Sequence, residues 1–199
     1  AGFRHAVGSQ WVLVQFLEIT LLTDLVQYWV HRVFHRVPWL WKFHAVHHSA
    51  QVMDWLASSR MHVVEIVFLR GLTVIPMYIL GFREPALYMY LVFVFFLSAM
   101  VHSNMRIKFH FLDRVLVTPR FHHWHHGIEK EAIDVNFAVH YPFLDRLFGT
   151  YHLPADGRWP SGYGINHPLP KGFHRQFLYP FVPTRRSSDA VAEPQKPGI

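Results

Sequence analysis

From Trp11 to His35 the chain reads WVLVQFLEITLLTDLVQYWVHRVFH, with no glycine or proline to interrupt it. At 1.5 Å per residue a helix over these positions reaches roughly 38 Å, enough to cross a bilayer. The same run could also be a long buried helix of a soluble protein. Glu18 and Asp24 lie inside it. Carboxylates are costly within a bilayer, so both are expected to face a bundle interior or a polar cavity. Val37-Pro38 ends the run, because proline disfavours helical geometry in the residue before it.

Two further apolar runs follow. His62 to Gly81 carries Glu65, Arg70, Gly71 and Pro76 as interruptions, whereas Pro85 to Val101 is uncharged and would span roughly 26 Å. The segment Gly81-Phe82-Arg83-Glu84-Pro85 reads as a tight turn that folds the two into an antiparallel hairpin. The expected fold is therefore all-α: an integral membrane bundle of about three transmembrane helices. Composition agrees, with 51% hydrophobic and only 16% charged residues. Trp39, Trp41 and Phe43 with Lys42 read as an interfacial aromatic belt.

The chain has no cysteine, which excludes disulfides, iron–sulfur clusters and thiol catalysis. Its net charge is +6 with histidine neutral. The basic residues flank apolar runs, a placement that fits anionic lipid headgroups better than nucleic acid. Arg32, Arg36, Lys42, Arg60, Arg106, Lys108, Arg114 and Arg120 fall on the side where the first run ends, the second begins and the third returns. Only Arg83 marks the opposite hairpin. The positive-inside rule makes the first side cytoplasmic, and residues 106–180 are expected to form a cap there. Within it Phe111 to Val117 and Ile133 to Phe148 read as partly helical, and 154–172 as loop.

That side also collects the histidines. Residues 31–48 and 122–126 hold nine of the seventeen in the chain. His31 and His35 are four apart; His44, His47 and His48 form H-x-x-H-H, and so do His122, His125 and His126. Residues three and four apart share a helix face, so each set can aim several imidazoles at one spot. His102 follows the third apolar run directly. Nine candidate ligands exceed what one ion needs and suit two metals. Imidazole binds iron, zinc, copper and nickel alike, so spacing alone establishes a multi-histidine metal site at a membrane face.

The order H-x3-H, H-x2-H-H, HSN after an apolar helix and H-x2-H-H resembles the fatty acid hydroxylase superfamily, in particular its bacterial sterol desaturase family proteins. HHSA (47–50), SSRMHVVE (58–65), HSN (102–104), DVNFA and FLDRLFGTY (134–151) resemble the same group. The resemblance covers about residues 20–153. It implies a non-haem di-iron oxidoreductase that uses two iron ions and O2 to hydroxylate or desaturate a lipid: a sterol, fatty acyl chain, carotenoid or sphingolipid. Electrons would come from an external donor such as cytochrome b5, a ferredoxin or a reductase. Residue by residue, it assigns metal ligation to His31, His35, His44, His47, His48, His102, His122, His125 and His126. His123 is ambiguous, and Asn104, His62 with Glu65, Asp134 and Asn136 are candidates to ligate or to orient a ligand. Turn chemistry is a slightly better account of Asp134 and Asn136. His5, His110, His140, His152, His167 and His174 are expected to be non-ligands.

Two other functions fit a histidine-rich membrane protein: a zinc-dependent hydrolase and a metal transporter. No HExxH supplies the first with its catalytic glutamate, and histidines at helix ends rather than mid-membrane argue against the second. The bacterial inner membrane is the expected location. Residues 1–180 are taken as one membrane domain lacking some N-terminal residues, since Ala1 follows no leader pattern. Residues 181–199 are taken as a disordered tail. Within it PTRRSSD resembles translated sequencing-adapter DNA and is assigned no function.

Overall fold

The computed structural model describes residues 2–107, 109 and 111–182. Among them the regular elements are all helical, and an isolated bridge between Gly127 and Tyr163 is the sole β-type pairing. The helices are α1 (Gly2–Gly8), α2 (Val12–Arg36), α3 (Pro38–His48), α4 (Val63–Leu80), α5 (Glu84–His102), α6 (Leu112–Val115), α7 (Pro119–His125), α8 (Phe143–Leu147) and α9 (Phe173–Leu178).

Helix α2 is the central post and packs against α3, α4 and α5. Its buried stripe includes Gln15, Ile19, Thr20, Thr23, Tyr28 and Phe34, at helical spacing. The two threonines return their hydroxyls to the carbonyls of Leu17 and Ile19, at 2.8 and 2.6 Å, so they bury no unpaired donor. Val37 ends the helix in extended geometry before Pro38, and Pro38 opens α3, where a missing N–H costs nothing. The chain therefore turns back at once, and α3 lays its histidines against the end of α2.

Two helices, α4 and α5, are long and apolar enough to cross a membrane, or three spans form if α1 and α2 count as one. The expected first span is thus less clear-cut than its length promised. Alone, α2 is too polar, and α1 meets it at 110°. Helix α1, seven residues long, carries no periodicity in the sequence. It packs across the turn between α4 and α5, where Gly81 adopts φ 93° and a side chain would meet the Arg4 backbone at 3.0 Å. Gln15 fixes this end, accepting from the Arg83 N–H at 2.8 Å and donating to the Gln10 carbonyl. Pro76 lies within α4 without ending it.

The core has two storeys. Val7, Ile19, Met77, Ala86, Tyr90 and Val94 pack at the turn end, and Tyr28, Val101, Val117, Phe121, Phe137 and Leu144 at the histidine end. Asp24, fully buried, stands between them. Its carboxylate accepts the N–H groups of Val139, His140 and Tyr141 at 2.8, 3.0 and 2.8 Å. Asp145 does the same for Phe137 and Ala138 and also accepts from Thr150. Two buried carboxylates thereby hold the irregular segment 135–150 onto the bundle, supplying partners that helix or sheet would otherwise provide. Only Phe143–Leu147 of the stretch 133–148 is helical. Phe181 packs on Phe43, and the rest of the expected tail, 183–199, lies outside the described residues.

Candidate metal centre

The nine histidines assigned by resemblance converge in two groups. His31, His35, His44, His48 and His125 form one, and His47, His102, His122 and His126 the other, each with ring nitrogens within 4.8 Å of one another. The H-x-x-H-H spacing explains the partition. In α3 the pair His44/His48 is four apart and shares a face, so both serve the first group. His47 sits about 100° round the helix and serves the second. In α7 and its cap the roles invert: His122 and His126 serve the second group and His125 the first. Helix α2 adds His31 and His35 to the first group, and the C-terminus of α5 adds His102 to the second. The groups adjoin, with the His48 and His126 rings stacked at 4.3 Å.

Six of the nine rings are oriented from behind. Nδ1 of His31, His47, His102 and His125 faces the carbonyl of Phe137, Arg60, Ser98 and Val135, at 2.8, 3.1, 2.7 and 2.7 Å. Nδ1 of His44 is 2.5 Å from a Glu65 oxygen, and that of His35 is 3.3 Å from Asp134. A carbonyl only accepts, so these rings carry their proton on Nδ1 and present a bare lone pair at Nε2. The Nε2 atoms then meet each other: His31 to His44 at 3.0 Å and His102 to His47 at 3.2 Å. Two lone pairs cannot form a hydrogen bond, so a cation between them is the satisfying partner.

A proton is a poor candidate for that cation. Burial pushes His47, His48, His122 and His126 well below the usual imidazole range, and takes His125 to about 3. Neighbouring imidazoles push in the same direction. His125 Nε2 is buried without a hydrogen-bond partner. Neutral, desolvated imidazoles with converging lone pairs fit divalent transition metals such as iron, zinc or copper.

The flanking candidates divide. Glu65, 1% exposed, and Asp134 back onto rings of the first group and orient them. His123 belongs to neither group. Its Nε2 meets the Ser103 carbonyl at 3.1 Å and its Nδ1 the Tyr163 hydroxyl at 2.8 Å, so both nitrogens are occupied. His62 caps α4 through the Val64 N–H and reaches the Phe177 carbonyl, which ties α9 down rather than touching a metal group. Asn104 is exposed, because α5 ends at His102 and the chain leaves the bundle. Asn136, like Asp134, has φ 58°, and its amide bridges Phe121 and His152 backbone atoms; its role is to cross-link the cap. His5, His140, His152, His167 and His174 lie outside both groups, and His110 outside the described residues. The carbonyls that orient the rings had no sequence signal, since backbone atoms are not encoded by residue type, and Tyr163 behind His123 had none because it is brought there from 40 residues away.

Comparison with known proteins gives a concordant result. A model of the fatty acid hydroxylase family matches residues 16–150. An ornithine lipid hydroxylase of Rhizobium tropici is 31% identical over 180 residues, 89% of this chain and 54% of that protein. Alkylglycerol monooxygenase of Homo sapiens is 29% identical over 147 residues, 73% of this chain and 32% of that protein. A very-long-chain aldehyde decarbonylase of Oryza sativa subsp. indica is 30% identical over 156 residues, 75% of this chain and 58% of that protein. The chain thus spans about half or less of the length of the first two relatives. No solved structure matches it significantly.

Proposed function

The chain belongs to the fatty acid hydroxylase family, and from that premise we propose that it is a membrane-bound di-iron oxidoreductase acting on a lipid. The observation that carries the reading is the pair of adjoining histidine groups, five donors and four, at one end of an apolar bundle. Two iron ions held there would supply O2 activation and removal of hydrogen from an unactivated C–H bond, giving hydroxylation or desaturation. The chain's own part is positional. Glu65, Asp134 and four backbone carbonyls fix the imidazoles with lone pairs inward, so little reorganisation is needed on metal binding. Phe137 lies against His31, His35 and His125, and Trp41 against His35 and His48, which limits water around the first group.

The relatives support lipid oxidation, since their names describe a lipid hydroxylase, an alkylglycerol monooxygenase and an aldehyde decarbonylase. The lipid class and the external electron donor are part of the proposal; cytochrome b5, a ferredoxin or a reductase would serve. The basic residues on the histidine side support a cytoplasmic orientation of that side under the positive-inside rule. A zinc hydrolase is less well supported: all nine inward groups are imidazoles, and Glu65 is turned to His44 rather than to an open position.

The test is incorporation of labelled oxygen. Protein loaded with Fe(II) in lipid nanodiscs, given a reductant, a donor and 18O2, is expected to yield lipid carrying 18O or lipid lighter by two hydrogens. His47→Ala and His125→Ala are expected to abolish both products. Metal-loaded protein that leaves every lipid unchanged would overturn the proposal.

A further inference from the structure

Between the end of α3 and the start of α4, on the histidine side of the bundle, the chain forms a short 3-10 helix at Trp55–Ser59. This segment, residues 49–52 and the loop 165–171 line an open cavity of about 520 Å³. Its size is in the range of small-ligand sites. Its lining is mixed in a particular way. Arg60 is held in place by hydrogen bonds from its guanidinium to the Val46 carbonyl, Ser49 Oγ and Gln176 Oε1, at 3.2, 2.9 and 3.2 Å. It makes no ion pair with a carboxylate among the described residues. Lys171, exposed, adds a second cation at the mouth. Asp54 is the one carboxylate of the lining; one oxygen accepts from the Ala57 N–H at 3.1 Å, leaving the other for a ligand.

Two features tie the cavity to both lipid and metal centre. Val52 and Leu56 line it with 71% and 54% of their surface exposed, and Trp55, next to Leu56 in the chain, is 60% exposed. Three large apolar side chains at the end of a membrane bundle are stable when immersed in the lipid interface, where tryptophan is favoured. On the inner side, the Arg60 carbonyl is the acceptor that orients His47. An occupant bound by the Arg60 side chain therefore sits one residue away from a ring of the second histidine group.

We propose that this cavity is a headgroup site for a zwitterionic membrane lipid, with a carboxylate or phosphate on Arg60 and Lys171 and an ammonium on Asp54. That the lipid is a substrate rests on the oxidoreductase reading above; the binding chemistry does not. Neither a neutral glycerol headgroup nor a purely anionic one uses all three charges. Bound this way, the headgroup stays at the interface, and the acyl chain leaves past Val52 and Leu56 toward the apolar bundle.

The experiment is a binding series on the full chain in detergent, read by native mass spectrometry and by Trp fluorescence. The probes share one acyl chain: lyso-phosphatidylethanolamine, N-acyl-lysine, lyso-phosphatidylglycerol and monoacylglycerol. The first two, one carrying phosphate and one carboxylate, are expected to bind tightest, and their order identifies the preferred anion. Lys171→Gln, at an exposed position, is expected to weaken all three charged lipids about three- to fivefold. Asp54→Asn keeps the helix cap and removes the charge, and is expected to weaken only the two zwitterions. Equal binding of monoacylglycerol, or indifference to both variants, would overturn the headgroup site. Lipid oxidation without headgroup selectivity would reject the cavity alone, whereas selectivity without oxidation would reject the substrate role through the oxidoreductase reading.

Discussion

Glu65→Gln separates a residue that serves metal binding from one that serves folding. Glu65 is 1% exposed, and one oxygen lies 2.5 Å from His44 Nδ1 while the other is buried without a partner. Glutamine keeps the shape and can still accept from Nδ1 through its amide oxygen, but it removes the negative charge behind the ring. Loss of such a partner lowers metal affinity by roughly ten- to a hundredfold, or about 1.4–2.7 kcal/mol. The effect on the metal-free protein should be opposite or nil, because a buried carboxylate with one partner is costly to desolvate. The assay is iron retention against a graded chelator, alongside thermal unfolding of metal-free protein in detergent. The expected result is one weakened ion per chain, since His44 belongs to one group only, with unfolding unchanged or raised. Unaltered retention, or a fall in metal-free stability as large as the loss in affinity, would refute the reasoning.

Alanine at His31 or at His102 removes one donor from one group each, and each is expected to lower iron by about one per chain and stop turnover; normal iron content in either would remove that residue from the donor set. Asp24→Ala strands one buried and two partly buried N–H groups, and at about 1–3 kcal/mol for a buried one a loss of roughly 3 kcal/mol is expected in detergent unfolding. A small change there would mean segment 135–150 is held elsewhere. His123 is lowered by burial to about 4 from an ordinary 6.5. The unfolded chain therefore binds the extra proton between these values, and metal-free stability is expected to fall as pH drops from 6.5 to 4. His123→Gln should flatten part of that slope, and an unchanged slope would assign it to other groups. A tag after residue 180 should be reachable only from the cytoplasm, and labelling from outside would reverse the orientation.

How much of this was legible depended on the range of the interaction. The nine histidines stood out because helical spacing is local: His44 and His48 share a face whatever surrounds them. Which ring joins which group was implicit in the same spacing, since His47 and His125 are each one residue off the paired face. Asp24 was legible as an inward carboxylate, but its three N–H partners lie more than a hundred residues away and leave no trace in pattern. Tyr163 behind His123, 40 residues on, and Gln176 on Arg60, 116 residues on, leave none either. Glu65 was visible within R-x-H-x-x-E without its partner; only packing of α4 on α3 shows that His44, not His62, receives it. Helix α1 was missed because seven residues are too few for periodicity to register.

The central claim is that the two histidine groups hold two irons side by side. Metal analysis of detergent-purified protein loaded anaerobically with iron-57, with Mössbauer spectra of the same sample after oxidation, tests it most directly. The account predicts about two irons per chain and a coupled di-iron signature. One zinc per chain, with no iron taken up on anaerobic loading, would contradict it.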